Sequence, residues 1–295
     1  MKNALFLILY VIVFLGALLG VAWWDRRKRR TRRPLPENVK LLRMPGEHLW
    51  RRVTAGDELD VQWFLIALLI PLLVGLGALL VVAHLPASLI TNGLAGFVVL
   101  FVFSLLLCVR WLEQRLRRRA DDYLGFFGER YVAEVLDPLK ATGWFIFHDV
   151  QCQGATGKFN LDHVAVGLGG VWVIETKTRR KGRARAGFKE QNVAFDGKQV
   201  IWPWGEETYS LQQTRNNVEW LRQWLETMTG KEFPVCGVLT FPGYYVTEQK
   251  LADVRVVYTK GLKDVVISHG TTVLRPDDVD LIRRQLEEKC RDVEY

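Results

Sequence analysis

The chain has 295 residues, with 40 Lys and Arg against 32 Asp and Glu and a formal net charge of +8 at pH 7. Its apolar residues are concentrated in the first 110 positions, so one evenly composed soluble domain is excluded as a description of the whole chain. Its four cysteines lie far apart and form no CxxC pair, which indicates neither a zinc site nor a disulfide framework.

Three long apolar stretches predict membrane-spanning helices, because a helix needs about 20 apolar residues to cross a hydrocarbon core of about 30 Å. The first stretch, residues 4–24, is followed by basic residues and is expected to remain as an anchor instead of being cleaved as a signal peptide. The second and third, residues 63–83 and 89–109, are separated by a short turn and predict a helical hairpin. None of the three contains a charged residue, which argues against a transporter or channel subunit.

The distribution of Lys and Arg between the loops predicts the orientation of these helices. Residues 25–61 and the segment after the third stretch are basic, whereas the connection at 84–92 contains neither Lys nor Arg. Since positive loops stay inside, we expect a multi-pass protein of the inner (cytoplasmic) membrane, with the N-terminus outside and everything after Arg110 in the cytoplasm. We interpret the basic clusters at 26–33 and 115–119 as cytoplasmic flanks of the membrane helices, not as nucleic-acid patches.

After the third apolar stretch the sequence pattern becomes that of a soluble domain. Apolar residues at spacings of three and four predict a helix over residues 111–137, which Gly125 and Gly128 can divide into two pieces. Residues 161–177 contain two β-rich segments joined by the turn sequence GLGG, and this pattern predicts a β-hairpin.

The remaining elements alternate between strands and helices. An Asp-Gly pair at 196–197 predicts a tight two-residue hairpin turn, and residues 210–227 predict a helix whose first residue, a serine, is the N-cap. Residues 235–241 and 254–259 predict buried strands, and residues 276–288 predict a closing helix. The order of elements predicts an α/β domain with a central mixed sheet flanked by helices.

Three polar residues are placed together by the hairpin. Asp162 opens its first strand, and Glu175 and Lys177 end its second. Antiparallel pairing puts the start of the first strand beside the end of the second, and residues 175 and 177 share one face. Two carboxylates at one place suit Mg²⁺, and a lysine beside them suits the hydrolysis of a phosphodiester. The alternative is a cross-strand salt bridge on a solvent-exposed face of the sheet.

Four sequence motifs carry a resemblance to a known family: GERYVAEVL, NLDHVAV, VWVIETK and YSLQQTRNNVEWL. Together they resemble the NERD (nuclease-related) domain, a branch of the PD-(D/E)xK nuclease-like superfamily. The resemblance covers residues 123–245, about two fifths of the chain, and leaves the membrane stretches out. It implies a restriction-endonuclease-like α/β fold, DNA or RNA as the partner, and Mg²⁺ as the cofactor, with Mn²⁺ as an alternative.

The resemblance also implies roles for individual residues. Asp162 and Glu175 become the metal ligands, and Lys177 becomes the catalytic lysine. Glu129 becomes the acidic residue of the first helix, and Gln213 the catalytic-site glutamine of a later helix. The family usually has Asn-Pro shortly before that glutamine, whereas Tyr and Ser stand there in this sequence, so the neighbouring glutamine at 212 is an alternative.

The segment after the candidate lysine is basic and contains four candidate nucleic-acid-binding residues, which are Arg179, Arg180, Lys181 and Arg183. Cations at these positions can contact phosphates, and a solvated basic loop is the alternative.

Other side chains near these motifs have two readings each. Glu129 is either part of the site or an exposed helix charge that pairs with Arg130. His163 follows Asp162 and faces the other side of the strand, so we expect it to pack in the core, and a catalytic role is the alternative. Trp202 and Trp204 either stack on bases or cover the edge of the core.

These observations divide the chain into six segments. They are an anchor helix over 1–24, a basic cytoplasmic linker over 25–61, a transmembrane hairpin over 62–109, a basic juxtamembrane helix over 110–122, a NERD-type domain over 123–246 and a C-terminal extension over 247–295. The function predicted is that of a membrane-anchored, metal-dependent nuclease in the cytoplasm. The alternative is a catalytically inactive module of the same fold that binds nucleic acid or protein at the membrane.

Overall fold

The structure, a computed structural model, describes residues 40–84, 86–154, 157–250, 252–268 and 273–294, with isolated positions between 13 and 27. Its helices and strands, in chain order, are β1 (Lys40–Leu42), α1 (Glu47–Val82), α2 (Ile90–Leu136), β2 (Phe145–Gly154), β3 (Gly157–Gly167), β4 (Gly170–Thr176), β5 (Asn192–Phe195), β6 (Val200–Trp202), β7 (Gly205–Glu207), α3 (Tyr209–Thr229), β8 (Val235–Thr240), β9 (Tyr245–Gln249), β10 (Val254–Val257), α4 (Leu262–Ser268), α5 (Pro276–Cys290) and β11 (Arg291–Glu294).

The chain divides into two compact units, residues 1–42 with 291–295 and residues 43–290. In the first unit, β1 pairs antiparallel with β11. The second unit contains α1 to α5 and the two larger sheets. The anchor predicted over residues 4–24, and most of the predicted linker before residue 40, lie outside the described residues.

α1 and α2 pack against each other, as expected for the predicted helical hairpin. Trp63 of α1 and Trp111 of α2 meet edge to face, with their ring centroids 5.6 Å apart. Leu65–Val82 and a window of Ile90–Thr142 are long and apolar enough to cross a membrane, judged by length and composition. Their apolar side chains face outward, and Leu72, for example, is 62% exposed. The described residues therefore contain two candidate spans, at the positions of the second and third predicted ones.

Both helices extend beyond the predicted boundaries. α1 begins at Glu47, after Gly46 in the left-handed conformation (φ 68°), so residues 47–61 of the predicted linker are helical. α2 continues without a break through Gly125 and Gly128 into the soluble domain. A glycine inside a helix costs about 1 kcal/mol relative to alanine, which is too little to end a helix whose last turns pack in a core.

The central sheet has five strands in the order β10, β8, β4, β3, β2. β2, β3 and β4 are antiparallel neighbours, whereas β4, β8 and β10 run parallel. This arrangement confirms the predicted α/β fold with a central mixed sheet flanked by helices. It also places β4, whose residues are all buried, in the middle of the sheet.

The sheet is covered on both faces, because side chains along β4 alternate between two hydrophobic cores. Val171 and Val173 belong to the core that contains residues of α3 and α5. Trp172 and Ile174 belong to the core that contains residues of α2 and α4. A strand that is buried on both faces reads as a continuous apolar run, which is how the sequence presents it.

A second sheet, in the order β7, β6, β5, β9, lies within the same unit and was not predicted separately. Its hairpin between β5 and β6 has a four-residue connection, since Phe195 pairs with Val200. The predicted hairpin is therefore confirmed, but Asp196 and Gly197 do not by themselves form its turn. The physical reason is the Asp196 carboxylate, whose Oδ1 accepts the backbone N–H groups of Lys198 and Gln199 at 2.8 Å each and so closes a longer turn.

The helix predicted over 210–227 is confirmed as α3, but its predicted N-cap is wrong. Thr208 occupies the cap position, and Ser210 lies inside the first turn, where its hydroxyl donates to the Glu207 carboxylate at 2.6 Å. Nearby, Trp202 is buried and stacks on Trp204, with ring centroids 5.3 Å apart. Trp202 therefore covers the core, as one of its two readings expected.

His163 is fully buried in β3, as the sequence analysis expected of it. Its Nδ1 lies 2.9 Å from Nδ1 of His148 on the neighbouring strand. Burial and the charge of Lys140 lower the pKa of His148 to about 4. The carboxylates of Asp137 and Asp149 oppose this shift but do not outweigh it. The pair is therefore neutral in the folded protein at pH 7.

This histidine pair predicts a loss of stability in mild acid. The folded-state pKa of His148 lies below its ordinary value of 6.5, so its contribution is complete above pH 6.5 and is lost as the pH falls towards 4, by at most about 3 kcal/mol. His148→Asn removes this titration, and we expect its free energy of unfolding to fall less than that of the wild type between pH 6.5 and 4. Chemical denaturation across that range measures the effect, and equal slopes for the two proteins would contradict it.

Candidate active site

The β3–β4 hairpin brings the two predicted metal ligands together. His163 pairs with Ile174, so Asp162 and Glu175 are the next residues outward on the two strands. Oδ2 of Asp162 accepts the backbone N–H of Thr176 at 2.7 Å. Asp162 is 8% and Glu175 1% exposed, so the alternative of a salt bridge on a solvent-exposed face of the sheet is wrong.

Lys177 lies beside these carboxylates. Its Nζ donates to Oε1 of Glu175 at 2.7 Å and to Oε1 of Gln213 at 2.9 Å. Burial alone lowers the pKa of Lys177, but the charges of Glu175 and Asp162 and the hydrogen bond to Glu175 outweigh it, so the pKa is raised. Lys177 is therefore an ammonium ion held at a fixed place by two partners.

α3 supplies two polar side chains to the site. Gln213 faces Lys177, whereas Gln212 is exposed and bonds to Asn216 on its own helix, so the structure places Gln213 and not its neighbour in the site. Asn217, one turn after Gln213, donates from Nδ2 to Oε2 of Glu175 at 2.8 Å. Asn217 was not predicted from the sequence, although its spacing of four residues from Gln213 places both on one helix face.

Glu129 reaches the site from α2 and is only 5% exposed, so its reading as an exposed helix charge is wrong. A Cβ on the preceding residue, Gly128, would lie 2.4 Å from Oγ1 of Thr178, which shows how closely α2 approaches the segment after the lysine. Within the described part of the chain, Oε2 of Glu129 has no hydrogen-bond partner. Burial raises the pKa of Glu129 to about 7, with opposing effects from nearby charges, of which that of His48 is the largest.

The site has more carboxyl groups than cations. Glu129, Asp162 and Glu175 interact electrostatically with one another and with Lys177. The pKa of Asp162 is raised well above its ordinary value by burial and by the other two carboxylates. Buried carboxylates that oppose each other's ionisation, together with the unpaired Oε2 of Glu129, are what a divalent cation with oxygen ligands would stabilise. These residues therefore fit a divalent metal.

A second acidic group adjoins the first. One ring nitrogen of His48 and one carboxylate oxygen each of Glu129 and Asp149 lie within 4.8 Å of one another. Asp149 is fully buried, and its Oδ2 accepts from Nε of Arg43 at 2.9 Å and from the backbone N–H of His48 at 2.8 Å. Its Oδ1 contacts Nδ1 of His48 and accepts from Asn160 at 2.8 Å.

These contacts decide what the second group can do. Burial raises the pKa of Asp149, but the hydrogen bonds and charges of His48 and Arg43 outweigh it and lower the pKa. The Asp149 carboxylate is thus already neutralised by a guanidinium and occupied by hydrogen bonds, so a metal fits it less well than it fits Asp162 and Glu175. Arg43, His48 and Asp149 were not predicted from the sequence; a charged residue within the apolar strand WFIFHDV was the available signal for Asp149.

The four predicted nucleic-acid-binding residues lie on the exposed segment after β4. Nε of Arg180 is 3.0 Å from Oδ1 of Asp121, and Arg179 also has a carboxylate within 4.0 Å. Lys181 and Arg183 are exposed. The segment is therefore basic and close to Lys177 along the chain, and two of its cations are partly compensated.

A comparison with protein families gives one match: residues 124–242 match the family model described as the nuclease-related domain (NERD). The matched residues include Glu129, Asp162, Glu175, Lys177 and Gln213, which the structure brings together, but not the segment that contains Arg43 and His48. No curated protein and no solved structure matches the chain.

Proposed function

We propose that this chain, whose residues 124–242 match the nuclease-related domain (NERD) family model, is a metal-dependent nuclease that hydrolyses phosphodiester bonds of DNA or RNA. The observation that supports this most is the convergence of Asp162, Glu175 and Lys177 at one end of a buried hairpin. Mg²⁺ is the proposed ion, and Mn²⁺ is a close substitute, because both take carboxylate oxygens.

Each residue of the site has a definite task in this proposal. A divalent ion held by Asp162 and Glu175 would polarise the phosphoryl oxygen and lower the pKa of a bound water. The Lys177 ammonium, fixed by Glu175 and Gln213, is placed to donate to a phosphate oxygen as its negative charge grows. Asn217 holds the other oxygen of Glu175 and so limits its rotation.

The basic segment at 179–183 gives the proposed nuclease a place to bind the substrate. Its side chains follow Lys177 directly, and cations there would contact the phosphates next to the scissile one. Binding through such contacts is expected to weaken as salt increases.

We further propose that α1 and α2 anchor this domain in the cytoplasmic membrane. Support comes from the two candidate spans, from their exposed apolar side chains and from the Trp residues at their ends. The excess of Lys and Arg on both sides of the hairpin favours a cytoplasmic position for the soluble domain, with residues 4–24 as a third span and the N-terminus outside.

The proposal is tested by incubating the full chain in detergent with end-labelled DNA and RNA, with Mg²⁺, with Mn²⁺ and with EDTA. We expect cutting that needs the metal and that Asp162→Asn reduces by about 1,000-fold or more, because the variant loses a charged ligand but keeps its shape. Asp253→Asn is the matched control, since it breaks an exposed ion pair with Arg215 away from the site.

The opposite result also has a clear meaning. If both DNA and RNA bind in a salt-sensitive manner but neither is cut with any metal, the catalytic proposal fails. The function then becomes that of a non-catalytic nucleic-acid module at the membrane.

A further inference from the structure

We propose that His48 is a positioning residue of the candidate site, which is held by Asp149 and in turn keeps the Glu129 carboxylate in place. His48 and Arg43 lie outside residues 124–242, so the site includes a segment that the family match does not cover. The role of Glu129 in the reaction rests on the proposed function. The coupling between His48 and Glu129 can be measured through Tm, without any activity.

The first support is the backbone of Asp149. Asp149 lies in the middle of β2, between His148 and Val150, whose pairings with β3 are regular. Yet its φ is +49°, a left-handed conformation that costs an L-residue about 1–2 kcal/mol and that no other described non-glycine residue adopts. The strand departs from extended geometry at the one residue whose carboxylate binds Arg43 and His48. The local strain is thus offset by those contacts.

The second support is the close packing of the turn before α1 on α2. A Cβ on Gly46 would lie 2.9 Å from Cδ2 of Phe126 and 3.6 Å from Oε2 of Glu129. Trp50, one turn into α1, packs on Phe126 with ring centroids 5.1 Å apart. The start of α1 is therefore fitted against the helix turn that carries Glu129, and a glycine at position 46 permits this approach.

The third support is that, among the described residues, Oε2 of Glu129 has no hydrogen-bond partner. Two side chains lower the pKa of Glu129, His48 and Lys177. Lys177 is already bonded to Glu175 and Gln213, and Oε2 of Glu129 accepts no hydrogen bond from the described residues. His48 has a ring nitrogen within 4.8 Å of a Glu129 oxygen, and its Nδ1 contacts the buried Asp149, so it is both near Glu129 and fixed in orientation.

A physical link to the membrane helices follows from this arrangement. The segment that carries His48 is the first turn of α1, the same helix that contains the candidate span Leu65–Val82. From residue 48 to residue 65 a helix extends about 25 Å. A displacement of the α1–α2 helical hairpin along the axis of α1 would therefore move His48.

The test is a double-substitution cycle on the full chain in EDTA, with Tm as the readout. His48→Asn can keep a hydrogen bond from its side-chain amide to Asp149 where Nδ1 lies, but it lacks the rest of the imidazole ring. We expect His48→Asn to lower Tm by about 2–4 °C and to have less than half that effect in a Glu129→Gln background. Arg51→Gln, on the same turn but exposed, is the control and should give equal shifts in both backgrounds.

A second measurement separates positioning from simple support of the fold. The affinity for Mn²⁺, followed by the electron paramagnetic resonance of the free ion, is expected to fall about 10-fold in His48→Asn and not to fall further when it is combined with Glu129→Gln. Additive Tm shifts, or an unchanged Mn²⁺ affinity, would overturn the proposal. Non-additive shifts in a chain that cuts no nucleic acid would leave it standing while the proposed function falls. If the wild type binds no Mn²⁺, the Tm cycle alone decides.

Discussion

Replacing Lys177 with methionine is expected to reduce the proposed cleavage by about 10²- to 10³-fold, the effect of removing one donor to a developing negative charge. Methionine has a similar length but cannot donate to a phosphate oxygen. The loss should therefore fall on kcat, with little change in KM, since the proposed mode of substrate binding uses several phosphate contacts and not this one alone.

The same substitution should affect metal binding in the opposite sense to Asp162→Asn. Removing Lys177 takes a positive charge away from two carboxylates, so the divalent ion meets less repulsion and its affinity should be unchanged or higher. Without metal, Glu175 loses its closest cation, and the Tm measured in EDTA should fall. Asp162→Asn, in contrast, should lose both metal affinity and cleavage.

Lys181→Met is the matched control, because it removes a lysine from the exposed part of the same segment. We expect it to raise KM and weaken the salt dependence of binding, with kcat within about threefold of the wild type. Cleavage by Lys177→Met at the wild-type rate would remove Lys177 from the reaction and leave it as a structural partner of Glu175.

The β3–β4 hairpin could be predicted because the residues that determine it are close together in the sequence. The turn GLGG lies between two apolar runs, and the alternation of side chains fixes which residues share a face once the turn is placed. The meeting of Asp162, Glu175 and Lys177 follows from that register, and the structure has them where the sequence places them. The position of Gln213 needed the resemblance to a family, since helix periodicity alone left its neighbour open.

The contribution of residues 43–48 could not be predicted, because nothing in their local pattern indicates a partner about 100 positions away. Basic composition made residues 25–61 resemble a linker, yet Arg43 and His48 contact Asp149 across 106 and 101 positions. Asp149 itself is an isolated acid in an apolar strand, a sign of burial with a partner that the sequence does not identify. Long-range ion pairs of this kind are visible only in the folded chain.

Arg43→Ala is expected to lower the free energy of unfolding by about 3–5 kcal/mol, because it leaves the buried Asp149 carboxylate without its guanidinium. A fragment that begins at Arg119 should lose at least as much, since it lacks both Arg43 and His48. Its inactivity would then report a damaged site, not an absence of nuclease chemistry. Urea denaturation of the full chain and of the fragment, followed by tryptophan fluorescence, measures both losses.

The effect of losing the Arg43–Asp149 ion pair can be separated from the effect of losing the volume of the arginine side chain. Arg43→Met keeps much of the volume, and adding Asp149→Asn to it should recover part of the lost stability, because the uncompensated buried charge is then gone. Arg52→Ala is the matched control, since its ion pair with Asp122 at 3.2 Å joins an exposed Arg52 to a partly exposed carboxylate and should contribute less than about 1 kcal/mol. If Arg43→Ala costs no more than Arg52→Ala, residues 43–48 are not needed to hold the site, and the matched domain folds without them.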